Sequence, residues 1–171
     1  MRKILITAIL LLLFPNVLFG QTVDDEDVDS IGNIIAAVYA AISGDAGVPR
    51  DWDRFRSLFA EGATLSPVIR NDEGVFERVI MSPEAYIERS GSNLERNGFH
   101  EVEINHVTEQ FGQIAHTFST YESRRRASDP APFARGINSF QLLHDGERWW
   151  IVSIYWQSES DTNPIPAKYL D

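Results

Sequence analysis

The stretch DGERWWIVSIYWQSE, residues 145–159, contains three of the chain's four tryptophans and one of its tyrosines. Asp145-Gly146 suits a tight turn with positive φ, so a β-hairpin is predicted at its start. Alternate side chains of the following strand point to opposite faces. One predicted face holds Trp150, Val152, Ile154 and Trp156, and the other holds Trp149, Ile151, Ser153, Tyr155 and Gln157. Because both faces are largely apolar, we predict a central strand that is covered on both sides.

Alternation of apolar and polar residues with a period of two also occurs upstream of this stretch. It predicts three more long strands, in HEVEINHVTEQF (100–111), QIAHTFSTYESRR (113–125) and RGINSFQLLH (135–144). Two shorter strands are predicted in ATLSPVI (63–69) and VFERVI (75–80). Because short loops join the long strands, we predict that neighbouring long strands run antiparallel.

Three helices are predicted before the long strands. Ser30 can cap a helix whose apolar stripe covers residues 31–42. Asp51 can cap a second helix in RDWDRFRSLFAEG, which Gly62 would end, and Ser82 followed by proline begins a third. Helices followed by strands indicate the α+β class. We therefore predict N-terminal helices packed on a strongly curved, mixed and mainly antiparallel sheet that forms a cone with a cavity.

Both ends of the chain are predicted to lie outside the folded domain. Residues 1–20 combine a basic start with a short apolar run, which is typical of a secretory signal peptide; an uncleaved anchor is the alternative. Residues 21–29 are predicted to form an acidic flexible lead, and residues 161–171 an irregular tail. We therefore expect export to a bacterial periplasm or to the extracellular space.

The charge and the lack of cysteine argue against several classes of function. The formal net charge is −10, so nucleic acid and anionic membrane surfaces would be repelled, and we expect neither nucleic-acid binding nor stable membrane association. Without cysteine, thiol catalysis and thiolate metal sites are excluded. No two histidines have metal-ligand spacing on one element, so we expect no metal and no cofactor.

Two stretches resemble a known superfamily. Residues 51–65, DWDRFRSLFAEGATL, resemble its D-x-x-x-L-F signature with one extra residue, and residues 145–159 resemble its D-G-x-W-x-I hairpin. The superfamily is the nuclear transport factor 2-like (NTF2-like) one, also called ketosteroid isomerase-like or SnoaL-like, and the resemblance covers most of residues 30–160. It implies a cone-shaped α+β domain and a homodimer through the open face of the sheet. It implies no single activity, because members include isomerases, dehydratases, cyclases, hydrolases and plain binding modules.

The candidate catalytic residues are His116 and Tyr121, which lie on the same predicted strand. If its side chain enters the cone, His116 could act as a general base or acid; the alternative is an inert histidine on the dimer-facing side of the sheet. His106 poses the same question, and Tyr39 or Tyr121 could donate a hydrogen bond. The carboxylates of the strands are equally compatible with a solvent-facing position: Glu101, Glu103, Glu109 and Glu122.

Aromatic and polar residues on elements that would surround the cone are the candidate ligand-binding group: Tyr39, Trp52, Asn138, Trp149, Tyr155 and Gln157. On the last strand, alternation groups the residues but leaves open which group faces inward. Our leading hypothesis is an exported domain that binds a small, largely apolar molecule. One alternative is an enzyme of the isomerase, dehydratase or cyclase type with a His/Tyr site. Another is a non-catalytic interaction module whose cone is filled by its own side chains.

Overall fold

The computed structural model describes residues 24–170, so the predicted signal peptide at residues 1–20 lies outside the described part. Three helices precede or interrupt the first strands: α1 (Ile31–Ile42), α2 (Trp52–Ser57) and α3 (Pro83–Asn97). The strands are β1 (Phe59–Arg70), β2 (Phe76–Arg78), β3 (His100–Phe111), β4 (Ile114–Arg124), β5 (Ala134–His144) and β6 (Trp149–Ser158). Single 3₁₀ turns at Asp25–Asp27 and Ala167–Tyr169 flank them. No helix within residues 24–170 is long and apolar enough to cross a membrane.

The helices begin at the predicted caps. The Ser30 hydroxyl, the Asp51 carboxylate and the Ser82 hydroxyl each accept a hydrogen bond from a backbone N–H of the first helical turn. Each of these bonds satisfies a donor that would otherwise lack a partner inside the helix. Pro83 occupies the first turn of α3, where its missing N–H costs nothing. The three predicted helix starts are therefore confirmed.

The end of α2 differs from the prediction. The helix stops at Ser57, and β1 begins at Phe59, before the predicted strand. Phe59 pairs in parallel with Ile151 of β6, and the register shifts before Thr64. Gly62, which has a φ of 75°, lies at this irregularity of β1. A glycine in the left-handed region thus marks a bulge here, where the sequence pattern suggested a helix end.

The six strands form one mixed sheet in the order β2-β1-β6-β5-β4-β3. The pair β1·β6 is parallel and the other neighbours are antiparallel. Helix α1 packs against β3 and β6, and α3 packs against β1, all on one side of the sheet. We call this side the inner face and the opposite side the outer face. The predicted α+β class, with helices on a mixed and mainly antiparallel sheet, is confirmed; the sheet does not close on itself.

A bulge in β6 changes which of its side chains face inward. Gln141 of β5 pairs with Ser153 and the adjacent Leu142 pairs with Ile151, so Val152 is an extra residue in the ladder. Trp149 and Ile151 are consequently buried in the core on the same face as Ile154 and Trp156. The two groups predicted by strict alternation are therefore wrong, because an extra residue reverses the faces of a strand.

Arg50 connects the loop after α1 to α3. Its guanidinium is buried and donates hydrogen bonds to backbone carbonyl oxygens of the loop and both helices: Ile42, Gly44, Asp45, Val48 and Leu94. Its own N–H donates to the Glu95 carboxylate at 3.2 Å. Because buried carbonyl groups need partners, this one side chain allows an irregular loop to lie inside the protein.

The tail crosses the outer face of the sheet. The Thr120 hydroxyl donates to the carbonyl oxygen of Tyr169 at 2.7 Å, and the Tyr169 ring lies 5.6 Å from the Phe118 ring. A backbone hydrogen bond from Glu159 to Arg135 and an ion pair between their side chains hold the start of the tail. Other apolar side chains of this face, including Val107 and Tyr155, remain exposed.

Candidate functional site

A cavity of about 120 Å³ lies between the helices and the inner face of the sheet. Apolar side chains from α1, α2, β1, β5 and β6 form most of its wall: Val38, Phe55, Leu65, Phe140, Ile154 and Trp156. Five polar side chains also line it: Tyr39, Tyr86, Glu101, Tyr121 and Asn138. An apolar cavity with a few convergent polar groups is the usual form of a small-molecule site.

Among the described residues that line this cavity, Glu101 provides the only carboxylate. Ser43, at the end of α1, accepts a hydrogen bond from the Glu101 backbone N–H, which ties β3 to the helix. The Ser123 hydroxyl donates to Glu101 Oε2 at 2.7 Å. Burial raises the pKa of Glu101 to about 7, and the hydrogen-bond interactions with Ser123 and Asn138 only partly oppose this rise. At neutral pH both protonation states are therefore populated, as a general acid or base requires.

Tyr39 and Asn138 meet inside the protein. Asn138 Nδ2 donates to the Tyr39 hydroxyl at 2.9 Å, and that hydroxyl lies 2.7 Å from the Ser119 hydroxyl. Burial, together with the nearby Glu101 charge, raises the pKa of Tyr39 far above its ordinary value. Tyr39 is thus neutral at any physiological pH and acts only through hydrogen bonds.

Tyr121 also lines the cavity, and its hydroxyl lies 3.0 Å from the Ser158 hydroxyl. The opposing residue on β5 is Gly136, and a Cβ placed there would lie 2.5 Å from the Tyr121 hydroxyl. A glycine is therefore needed for the tyrosine ring to occupy this position. Burial raises the pKa of Tyr121 to about 12, so this tyrosine is also neutral.

Tyr86 is a cavity residue that the sequence did not single out. It lies in the first turn of α3, stacked on Phe55 at 5.5 Å and edge-on to Trp156 at 6.5 Å. Within residues 24–170 its hydroxyl has no hydrogen-bond partner. Burial and the nearby Glu101 charge raise its pKa, so it keeps its proton and can donate. The cavity thus contains one tyrosine hydroxyl that is free to bond a ligand.

The two candidate catalytic residues are not brought together. His116 lies on the outer face, where its Nε2 is 3.0 Å from the Ser139 hydroxyl and its ring packs edge-on against Phe118. Tyr121 lies five residues along the same strand on the inner face. His106 does lie on the inner side, because its strand partner is Ser119, and its Nδ1 is 2.7 Å from Glu103 Oε1.

The other candidate ligand-binding residues lie away from the cavity. Trp52 packs beside Gly91, and its Nε1–H donates to the Glu95 carboxylate at 2.9 Å. Trp149 belongs to the core, edge-on to the ring of His144. Tyr155 and Gln157 lie on the outer face, beside a second cavity of about 260 Å³ that the tail segment 163–166 encloses.

Glu101 was visible in the sequence but could not be distinguished from the other strand carboxylates. Its neighbours Val102 and Ile104 are partly exposed on the outer face, so the acidic residues are the ones that point inward at this end of β3. The sequence did contain one signal of this site. At this end of β3 the glutamates, rather than the apolar residues, occupy the positions that face the helices. Among residues 24–170, no cluster of His, Asp or Glu side chains is arranged to hold a metal ion.

Comparison with known proteins reveals similarity of structure only. No family model matches the chain, and no curated protein matches it. An NTF2-like protein of unknown function from Pseudomonas putida KT2440 superposes with a TM-score of 0.57 at 11% identity, over 80% of this chain and 90% of that one.

Two further solved structures, both from Novosphingobium aromaticivorans DSM 12444, carry provisional enzyme names. One is a scytalone dehydratase (TM-score 0.55, 12% identity, 80% of this chain and 86% of that one). The other is the β subunit of an aromatic-ring-hydroxylating dioxygenase (TM-score 0.58, 14% identity, 76% and 87%). At such identities, similarity establishes the fold alone. The chain therefore has the α+β cone fold of the NTF2-like, or SnoaL-like, superfamily.

Proposed function

We propose that the cavity between the helices and the inner face binds a small, largely apolar molecule. The observation that carries this proposal is an apolar cavity containing polar atoms that the protein leaves without partners, above all the Tyr86 hydroxyl. A hydroxyl that lines a cavity and has no protein partner is available to a ligand that enters the cavity. The cavity also argues against the alternative of an interaction module whose cone is filled by its own side chains.

Nuclear magnetic resonance with benzene as the probe tests this proposal. A cavity of about 150 Å³ is known to hold benzene in another protein, so a cavity of similar size is a fair target. We expect saturable shifts of the amide signals of Leu65, Phe140 and Ile154 and of the methyl signals of Leu65 and Ile154, with the amide signal of the exposed Arg126 unchanged. The absence of saturable shifts at the cavity residues would refute the proposal. Native mass spectrometry of protein from its own host would then identify any co-purifying molecule.

Catalysis by proton transfer is the second candidate, and Glu101 is the observation that favours it. A carboxyl group with a pKa of about 7 beside an apolar cavity can accept and return a proton at neutral pH, and Tyr86 can donate a hydrogen bond to developing negative charge. This assigns the acid–base role to Glu101, since His116 lies on the other face. Such a pair suits proton transfer of the isomerase, dehydratase or cyclase type.

A proton-exchange assay separates the two candidates. A bound ketone with exchangeable hydrogens, such as cyclohexanone, should lose its α-hydrogens to D₂O faster with the wild-type protein than with Glu101→Gln. Glu109→Gln, at an exposed strand position, is the matched control and should exchange as fast as the wild type. Equal rates for all three proteins would leave binding as the function and reject this catalysis.

We also propose that the protein forms a homodimer through the outer face. The exposed apolar side chains of this face, such as Val107 and Tyr155, support it, although the tail already covers the part beside Phe118. A dimer would bury these side chains. Light scattering at micromolar concentration should give twice the chain mass, and Val107→Glu should reduce it. A monomeric wild-type protein would refute this proposal.

Export is the last part of the proposal, and only the sequence of residues 1–20 supports it. Fractionation of the host cell, followed by mass determination, should find a shortened chain outside the cytoplasm. A full-length cytoplasmic protein would contradict it.

A further inference from the structure

A chain of hydrogen bonds on the inner face connects His106, Glu103, Ser119, Tyr39 and Asn138. The Glu103 carboxylate determines which group donates in each of the following bonds. His106 Nδ1 lies 2.7 Å from Glu103 Oε1, and the Ser119 hydroxyl donates to Glu103 Oε2. The Glu103 carboxylate is thus the acceptor in its contact with Ser119. Because the single hydroxyl hydrogen of Ser119 is used on Glu103, Ser119 must accept in its contact with Tyr39.

The direction of the next two bonds follows. Tyr39 donates its only hydroxyl hydrogen to Ser119, 2.7 Å away, and its oxygen accepts from Asn138 Nδ2 at 2.9 Å. The Asn138 side chain also interacts with Glu101 and helps to lower its pKa. The only hydroxyl hydrogen of Tyr39 is therefore used inside the protein, and Tyr39 cannot donate to a ligand.

The cavity offers a ligand more hydrogen-bond acceptors than donors. Asn138 Oδ1 has no partner within residues 24–170. The Glu101 carboxylate keeps unused lone pairs, because Ser123 and Asn138 occupy only part of its capacity. Tyr86 supplies one free hydroxyl donor. No arginine or lysine of the described residues lines the cavity, so nothing there would neutralise an anionic ligand.

Size adds a second restriction. A cavity of about 150 Å³ binds benzene in another protein, so a cavity of about 120 Å³ limits a ligand to about one small ring or a short chain. Hydroxyl groups can donate to one partner and accept from another through the same oxygen. One ligand hydroxyl could therefore donate to Glu101 or Asn138 while accepting from Tyr86.

We propose that the cavity selects a small neutral molecule of about one ring that carries a hydroxyl group. The hydroxyl donates to Glu101 or Asn138 and accepts from Tyr86, and Glu103 directs the inner chain of donors away from the ligand. This inference rests on the proposed binding function, and it names the chemical class of the ligand.

Four one-ring probes, titrated at pH 8 and followed by nuclear magnetic resonance, test the selection: phenol, fluorobenzene, benzene and benzoate. Fluorobenzene matches phenol closely in size but cannot donate. We expect phenol to bind about tenfold more tightly than fluorobenzene, because one hydrogen bond to a charged group is gained. Benzoate should not bind, because its charge would face Glu101 without a cation.

Two substitutions test which residues cause the preference for phenol. Tyr86→Phe should weaken phenol binding severalfold and leave fluorobenzene binding unchanged, because it removes only the free donor. In Glu103→Gln the new amide can donate to Ser119, which reverses the chain and turns the Tyr39 hydrogen toward the cavity. The phenol oxygen can accept from this added donor, so the preference for phenol over fluorobenzene should then rise. Thermal melting and the amide spectrum of each variant check that it is folded.

The outcomes separate this inference from the proposed function. If fluorobenzene and benzene bind as tightly as phenol, the cavity binds small apolar molecules but the selection for a hydroxyl group is refuted. If benzoate binds best, the charge argument is refuted. If no probe binds, the proposed function fails together with the inference. Because the four-probe comparison uses the wild-type protein, it remains decisive even if a variant does not fold.

Discussion

Two groups of polar side chains are enclosed in this protein, and they are satisfied to very different degrees. Around Arg50, each guanidinium nitrogen donates to backbone carbonyl oxygens, and Arg50 lines neither of the two cavities described above. In the cavity group, Asn138 and Glu101 keep free acceptor capacity, and Tyr86 keeps a free donor. The first arrangement holds a loop in place, whereas the second leaves hydrogen bonds for another molecule to complete.

The difference shows that burial of a polar group does not by itself identify a site. A polar group that is fully paired within the protein serves the fold. A polar group that remains unpaired next to an accessible apolar cavity is better explained by binding. Four substitutions test this distinction, in descending order of expected effect.

Arg50→Met should cause the largest loss of stability. The substitution leaves several carbonyl groups in the loop after α1 without partners, so we expect a loss of about 3 kcal/mol or more. Urea denaturation measures it. Arg126→Met, at an exposed arginine, is the matched control and should change stability by less than about 0.5 kcal/mol. Equal effects of the two substitutions would mean that the Arg50 bonds do not hold the loop.

Glu101→Gln should change stability in a pH-dependent way. The carboxyl has an ordinary pKa of 4.5 in the unfolded chain and of about 7 in the folded protein. Between these values the folded state binds more protons, so wild-type stability falls as pH rises. The variant lacks this loss and should gain up to about 3 kcal/mol relative to the wild type between pH 5 and pH 8.

Urea denaturation of both proteins at pH 5 and pH 8 checks the Glu101 prediction. Glu109→Gln, at an exposed position of the same strand, is the control and should show no such gain. A stability difference that stays constant across the two pH values would contradict the raised pKa of Glu101.

Gly136→Ala should destabilise the cavity region by about 2 kcal/mol through overpacking. The added Cβ would collide with the carbonyl oxygen of Gln157 and lie 2.5 Å from the Tyr121 hydroxyl. Gly32→Ala is the opposite case, because nothing lies within 4 Å of its added Cβ in α1. This control should stabilise the protein by about 0.5 kcal/mol through higher helix propensity. Thermal melting of both variants decides whether the space around Tyr121 is as tight as described.

Ser66→Ala should have the smallest effect. Ser66 Oγ is buried without a partner among residues 24–170, and Ser66 lines neither cavity described above. Removing it should be neutral or stabilise the protein by up to about 1 kcal/mol. Ser119→Ala, which removes a partner of both Tyr39 and Glu103, should be destabilising instead. If Ser66→Ala lowered the stability of the protein more than Ser119→Ala did, unpaired polar atoms would be a poor guide to binding sites in this molecule.

Much of the fold could be predicted because it depends on local patterns. The caps at Ser30, Asp51 and Ser82 depend on residues three positions apart, and the four long strands depend on alternation. The α2 boundary was predicted incorrectly because Phe59 pairs with Ile151, which lies far away in the sequence. Likewise the bulge at Val152, which reverses the faces of β6, depends on how β6 pairs with β5.

The candidate site was only partly predictable. Tyr39, Tyr121 and Asn138 do line the cavity, whereas Tyr86 and Glu101 were not chosen, and Tyr155 and Gln157 lie on the other face. Residue type shows that a side chain is polar. It does not show whether the side chain finds a partner, because the partners come from other elements.

The sequence alone determined the order of helices and strands, the acidic and cysteine-free character of the chain, and the helix starts. These features depend on composition and on neighbours a few residues apart. The tertiary structure decided that Ser119 and Asn138 use up the Tyr39 hydroxyl, while the Tyr86 hydroxyl stays free. Hydrogen-bond satisfaction is a property of groups brought together from distant parts of the chain, so only the folded arrangement determines which atoms remain for a ligand.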